Sequence, residues 1–166
     1  MNLEILQQVG IAVVLSSLIG LEREQKYQKY DYVGFGGLRT FALIGLFGVV
    51  SQILGEYSPV YFATMAAGFF GMLIASYIMV AKNNKRLGAT SEIASILVYL
   101  IGVLSGMEQY VLATSVALLV MTALHFKETL HKWASHLKNR EIVSTIQFAV
   151  IAFVVLPLLP NEVYGP

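Results

Sequence analysis

Charged side chains that could bind a cation or relay a proton lie at the ends of long apolar runs in this sequence. Three of them are glutamates, Glu22, Glu92 and Glu128, while Arg39 lies just inside an apolar run. Charge beside a membrane segment is costly unless it is paired or hydrated, and it commonly marks a functional site. Carboxylates with nearby hydroxyl groups, such as that of Thr40, suit hard cations such as Mg²⁺ or Na⁺. We therefore interpret the three glutamates as candidate metal ligands.

The same region supports a second interpretation, a structural charge network. Its expected members lie at one depth, on helices that could surround one point: Glu22, Arg23, Arg39, Thr40 and Glu92. A lone buried charge is strongly unfavourable, so we expect pairing, with Glu22 and Arg39 as the first pair. The sequence leaves both alternatives open, a cation site or an ion-pair cluster that locks the helices together.

Composition places these residues in a membrane protein. Of the 166 residues, 57% are hydrophobic and 13% are charged, whereas soluble domains have about 25% charged residues. The net charge of +1 gives no support to nucleic-acid binding. Without cysteine, disulfides and thiolate metal sites are excluded. Hydrolase and phosphate-loop motifs are also absent from the sequence, so we predict no enzyme activity and no cofactor other than a bound Mg²⁺ or Na⁺.

Six apolar runs must position the charged residues. Each has about 16–22 residues, close to the roughly 20 that a membrane-spanning helix needs. The runs are continuous rather than alternating, which favours helices over barrel strands. They are Ile5–Leu21, Leu38–Leu54, Val60–Ala81, Ser91–Met107, Val111–Phe126 and Ile142–Leu159. The sequence therefore predicts an all-α integral membrane bundle of six transmembrane helices.

The distribution of basic residues predicts the orientation of this bundle. All 11 Lys and Arg residues lie in or beside the first, third and fifth loops. Because basic loops stay in the cytoplasm, both termini are expected outside, an N-out/C-out topology. We divide the chain into a five-helix membrane domain (1–126), a linker (127–141) and a sixth span with an outer tail (142–166). Apolar residues at helical spacing in the linker, including Leu130 and Trp133, predict a short amphipathic cytoplasmic helix.

Two spans carry small residues at every fourth position, which lets helices approach closely. They are Ala63, Ala67, Gly71 and Ala75 in the third span, and Gly102 and Gly106 in the fourth. We expect these faces to pack within the chain, with packing between subunits as the alternative. The predicted partners are the lipid bilayer, further copies of the chain in a homo-oligomer, and another membrane protein.

Two stretches together resemble the MgtC/SapB family of bacterial and archaeal membrane proteins. The first is Gly20-Leu21-Glu22-Arg23-Glu24, and the second is Gly37-Leu38-Arg39-Thr40-Phe41-Ala42-Leu43-Ile44-Gly45. The resemblance covers about residues 5–126. Later stretches, such as Thr90-Ser91-Glu92-Ile93-Ala94, look like a longer branch in which a second membrane domain of unknown function follows. That second domain would here be cut short.

This resemblance implies a multi-pass protein of the inner membrane that is linked to magnesium limitation. It matches Glu22, Arg23, Arg39 and Thr40 to the charged signature of the family, and Glu92 to that of the longer branch. The implied function is a cation transport or homeostasis module. The alternative is a non-transporting regulator of another membrane complex, such as ATP synthase.

Overall fold

The structure, a computed structural model, describes residues 2–30, 36–83, 90–126 and 139–156. These residues form six α-helices and one π-helical turn, Ile151–Val155, and they contain no strand. In chain order the α-helices are α1 (Asn2–Tyr30), α2 (Leu38–Tyr57), α3 (Pro59–Asn83), α4 (Thr90–Gly106), α5 (Tyr110–His125) and α6 (Asn139–Val150). The predicted all-α fold class is confirmed for the described residues.

Among the described residues, three helical segments are long and apolar enough to cross a membrane: Leu3–Lys26, Leu38–Tyr57 and Pro59–Met79. Three shorter segments are apolar as well: Thr90–Gly106, Tyr110–His125 and Val143–Phe153. At 1.5 Å per residue, a helix of about 17 residues is roughly 25 Å long, slightly less than a hydrocarbon core of about 30 Å. Crossing by six spans and the N-out/C-out orientation therefore stay predictions.

Helix α1 is longer than its apolar run. Hydropathy predicts an end near Leu21, but the helix continues to Tyr30. Glu22 and Lys26 form an ion pair of 2.8 Å one turn apart, and Glu, Arg, Gln and Lys are all good helix formers. The charged residues that follow the apolar run are thus held on a helix, not in a loop.

The chain divides into two compact units, Met1–His125 and Phe126–Pro166. The first unit contains α1 to α5. In the second, the structure describes α6 and the π-helical turn that follows it. Most of the predicted amphipathic linker, residues 127–138, lies outside the described residues.

Helices α1, α2 and α4 pack against one another at the centre of the first unit. Helix α5 packs on α4 and α1, while α3 packs mainly on α2. Ile19, Phe41 and Val98 are completely buried in this core. The ring of Phe69 on α3 stacks on that of Tyr99 on α4, with centroids 4.7 Å apart. The centre therefore joins two consecutive helices, α1 and α2, to α4, which follows them only after α3.

Glycines bring the backbones of α2 and α4 into contact. A Cβ atom added to Gly102 would lie 3.0 Å from the Cα of Gly48 and closer still to the carbonyl oxygen of Gly45. At Gly106 it would lie 2.9 Å from the Cβ of Gln52. The predicted packing residues Gly102 and Gly106 thus both face α2, where a larger side chain has no room.

The small residues of α3 lie on the opposite side of their helix from the core. Ala63, Ala67, Gly71 and Ala75 are all exposed. The buried face of α3 carries Phe69 and Leu73 instead. The structure therefore differs from the expectation that this α3 face packs within the chain, because the bulky apolar face provides more surface to bury.

Candidate functional site

Four charged residues lie close together near the end of α1, and we call Glu22, Arg23, Glu24 and Lys26 the α1 charged cluster. Three of them connect α1 to a neighbouring helix. Glu24 connects it to α2, since Oε2 accepts a hydrogen bond of 2.9 Å from the backbone N–H of Leu38. The first N–H groups of a helix lack intrahelical partners, and a carboxylate there is also favoured by the helix dipole. A Cβ on Gly37 would lie 2.7 Å from the same carboxylate oxygen, so glycine leaves room for this contact.

Arg23 connects α1 to α4. Its Nη2 donates a hydrogen bond of 3.0 Å to the carbonyl oxygen of Thr90, the first residue of α4. Two residues further along, Glu92 lies in the first turn of α4. Arg23 is 6% exposed and Glu92 is 8% exposed. The guanidinium Nε and one carboxylate oxygen of Glu92, Oε2, have no hydrogen-bond partner among the described residues. Opposite charges are thus buried at the same end of the bundle with unused hydrogen-bonding capacity.

Lys26 connects α1 to α5. Its ammonium group donates to the carbonyl oxygen of Leu124 near the end of α5, where the helix dipole favours a cation. The same ammonium lies 2.8 Å from Oε1 of Glu22. Both carboxylate oxygens of Glu22 are buried, and within the described part of the chain neither is aligned for a hydrogen bond. Lys26 therefore balances the charge of Glu22, but the carboxylate oxygens have no well-aligned hydrogen bond.

The expected pair between Glu22 and Arg39 is not formed. Glu22 pairs with Lys26, and Arg39 is exposed on α2. The cause is the rotation of α2: Phe41 faces the core, and a residue two positions away lies roughly 200° around the helix. Thr40 is half-buried beside that face. Of the predicted network, the structure thus buries Arg23 and Glu92 and leaves Arg39 outside.

The described residues contain no group of three or more acidic or histidine side chains that could hold a metal ion. Glu128 lies outside the described residues, so the predicted set of three glutamates stays a prediction. Glu22 precedes Arg23 by one residue and Glu92 follows Thr90 by two, so both lie near the contact between Arg23 and Thr90 in the sequence. Mg²⁺ is commonly bound by one or two carboxylates and keeps several of its waters. The role of Glu22 and Glu92 as metal ligands therefore stays a prediction.

A buried polar face along α1 was missed by the sequence analysis. Gln8, Ser16 and Arg23 are all at least nine-tenths buried. Successive members of this set are about two helical turns apart, so they lie on one side of α1. At the opposite end of the bundle, Nε2 of Gln8 donates a hydrogen bond of 3.3 Å to Oε1 of Glu108. Polar residues about two turns apart within an apolar run were the signal that could have identified this face from the sequence.

The two stretches that resemble the family, Gly20–Glu24 and Gly37–Gly45, pack against each other. A Cβ on Gly20 would lie 2.7 Å from the Cα of Leu38 and 2.9 Å from the Cβ of Phe41. Together with the hydrogen bond between Glu24 and Leu38, this close approach fixes the start of α2 beside the α1 charged cluster. The stretch Gly20–Glu24 thus positions the stretch Gly37–Gly45.

Comparison with known proteins identifies the family of the chain. A model of the MgtC family matches residues 9–133, a range that contains the α1 charged cluster, Glu92 and helices α2 to α5. Comparisons with curated proteins and with solved structures gave no match. Since the match covers more than half of the chain, the chain belongs to the MgtC family, and its apolar helices fit a multi-pass membrane protein of that family.

Proposed function

We propose that this protein is a cation transport or homeostasis module that binds a hydrated divalent cation, of the Mg²⁺ class, between Glu92 and the α1 charged cluster. One observation carries the proposal: Glu92 is buried, and its Oε2 has no hydrogen-bond partner among the described residues. A buried carboxylate without a full set of partners is costly in an apolar bundle. A cation with its water shell would supply both charge and hydrogen bonds there.

The charges around this point support a cation rather than an anion. The α1 charged cluster and Glu92 together contain three acidic and two basic residues. Glu24 is committed to the start of α2 and Glu22 is paired with Lys26, so Glu92 is the carboxylate of this group with the most capacity left for an ion, and Glu22 would have to be shared with Lys26. Arg23 is held by Thr90 and would act as a fixed counter-charge. We propose a binding role of this kind and no enzyme activity.

We further propose that this end of the bundle faces the cytoplasm of a bacterium or archaeon, with six spans and both termini outside. The support is that all 11 Lys and Arg residues lie in or beside alternate connections between the apolar runs. Since the chain has no native cysteine, thiol labelling of Gln28→Cys in sealed inverted and right-side-out vesicles tests this orientation.

Titration calorimetry of the purified chain with Mg²⁺, Ca²⁺ and Na⁺ tests the cation site. We expect saturable binding of a divalent cation that falls at least tenfold in Glu92→Gln, because the amide keeps the shape of the side chain but removes its charge. Glu56→Gln is the matched control, since Glu56 is an exposed carboxylate on α2. Equal binding by the wild type and Glu92→Gln would contradict the assignment, and so would equal losses in the two variants.

A second function, regulation of another membrane protein, is favoured by the exposed small residues of α3. Ala67 and Gly71 leave a flat surface, and a Cβ on Gly71 would meet nothing within 4 Å. Small residues permit a partner helix to approach closely. A membrane protein that co-purifies with the wild type but not with Ala67→Leu, together with no heat of cation binding, would favour this second function over the first.

A further inference from the structure

An apolar groove lies on the surface of the first unit, between α2 and α3. Its volume is about 310 Å³, at the lower end of the range of roughly 300–1,000 Å³ that is usual for ligand sites. On α2 it is lined by residues that include Thr40, Leu43 and Phe47, and on α3 by Gly68 and Met72. Leu43 and Met72 are exposed. The groove is separate from the α1 charged cluster and plays no part in the proposed cation site.

The wall of the groove at Gly68 is open. A Cβ atom at this position would meet nothing within 4 Å, although the adjacent Phe69 is buried against Tyr99. A glycine inside a helix is unfavourable relative to alanine, and here it leaves space along an apolar surface. A flexible apolar chain fits such a groove, since it can follow the helices without requiring hydrogen bonds.

Two cationic residues lie beyond the groove-lining residues, at the end of α2 and α3 that is opposite to Ser58. Arg39 is one turn before Leu43 on the same side of α2, and Lys82 lies in the last turn of α3. Both are exposed. Helices α2 and α3 are separated by Ser58 alone and run antiparallel, so the start of α2 and the end of α3 lie at the same end. Long basic side chains there extend toward the headgroup layer, where they attract anionic groups.

We propose that this groove binds one anionic phospholipid. An acyl chain lies along Leu43, Phe47 and Gly68, and the phosphate group interacts with Arg39 and Lys82. The apolar groove provides affinity for any acyl chain, while the two cations provide the preference for a negatively charged headgroup. This assignment also gives Arg39 a role that the charge network does not.

Native mass spectrometry of the full chain, released from detergent with added phosphatidylglycerol or phosphatidylcholine, tests the proposal. We expect one phosphatidylglycerol to be retained in preference to phosphatidylcholine. Gly68→Leu fills the groove and is expected to weaken retention of both lipids at least tenfold. Arg39→Gln is expected to lower the preference for phosphatidylglycerol several-fold while phosphatidylcholine binds as before. As a surface change, it keeps the test informative if Gly68→Leu does not fold.

Gly71→Leu is the matched control, because its Cβ also meets nothing within 4 Å and Gly71 is not among the lining residues. It is expected to retain lipid as the wild type does. Unchanged retention in Gly68→Leu would overturn the proposal, as would an equal loss in Gly71→Leu. If Gly68→Leu instead changed the oligomeric state and left lipid retention intact, the groove would be occupied by a second copy of the chain, and the lipid assignment would be wrong.

Discussion

Gly102→Ala is expected to lower the free energy of unfolding by about 1–3 kcal/mol, the range for forcing extra atoms into a packed core. The added methyl group would lie 3.0 Å from the Cα of Gly48 and closer to the carbonyl oxygen of Gly45. These obstacles are backbone atoms, which cannot rotate away as a side chain can. The higher helix propensity of alanine, about 0.5–1 kcal/mol, offsets only part of this loss. Unfolding by SDS from mixed micelles measures the change.

Gly71→Ala is the control for this experiment, since it makes the same change on a helix surface with open space around it. It should be neutral or slightly stabilising through helix propensity alone. The double variant Gly48→Ala with Gly102→Ala should cost less than the sum of the two single variants, because the first methyl group already separates the helices. Equal stability of Gly102→Ala and Gly71→Ala would show that α2 and α4 are not in backbone contact.

Arg23→Met is the second substitution with a large expected effect. It keeps much of the side-chain length but removes the hydrogen bond of 3.0 Å to the carbonyl oxygen of Thr90. Hydrogen bonds from charged groups contribute about 1.5–3 kcal/mol, and we expect a loss of that order. Removal of the positive charge also leaves more negative charge around the buried Glu92, which adds to the cost. The midpoint of thermal unfolding in detergent should fall accordingly.

Arg39→Met is the matched control, because Arg39 is exposed on α2 and surface substitutions usually change stability by less than about 0.5 kcal/mol. The two arginines therefore separate a buried charge from an exposed one in the same protein. If Arg39→Met were as destabilising as Arg23→Met, the assignment of Arg23 as the buried connection between α1 and α4 would be wrong.

Hydropathy predicted the bounds of α2 well, because this helix and its apolar run have nearly the same extent. The predicted second span begins at Leu38, as α2 does. Helix α1 shows the limit of this approach, since it continues from Leu21 to Tyr30 through charged residues. Hydropathy measures the length of apolar sequence, whereas the helix depends on backbone hydrogen bonds and on pairs such as Glu22 with Lys26.

The rotation of each helix was the part that the sequence did not determine. Arg39 was predicted to pair with Glu22 because both residues were expected at the same depth in the membrane. In the structure Arg39 is exposed on α2 and does not face Glu22. Spacing alone made Gly71 and Gly102 equivalent, yet only Gly102 faces another helix of the first unit. Spacing identifies a face that permits close approach, while the choice of the buried face depends on the bulky residues around it.

The contact between α2 and α4 also has a consequence for biosynthesis. Gly48 and Gly102 pack together, but α3 is made between them. At about 5–20 residues per second, the roughly 50 intervening residues take about 3–10 s to synthesise. During this interval the glycine face of α2 has no permanent partner and must be covered by lipid or by the insertion machinery. A nascent chain that stops after α3 would therefore present an uncovered helix face.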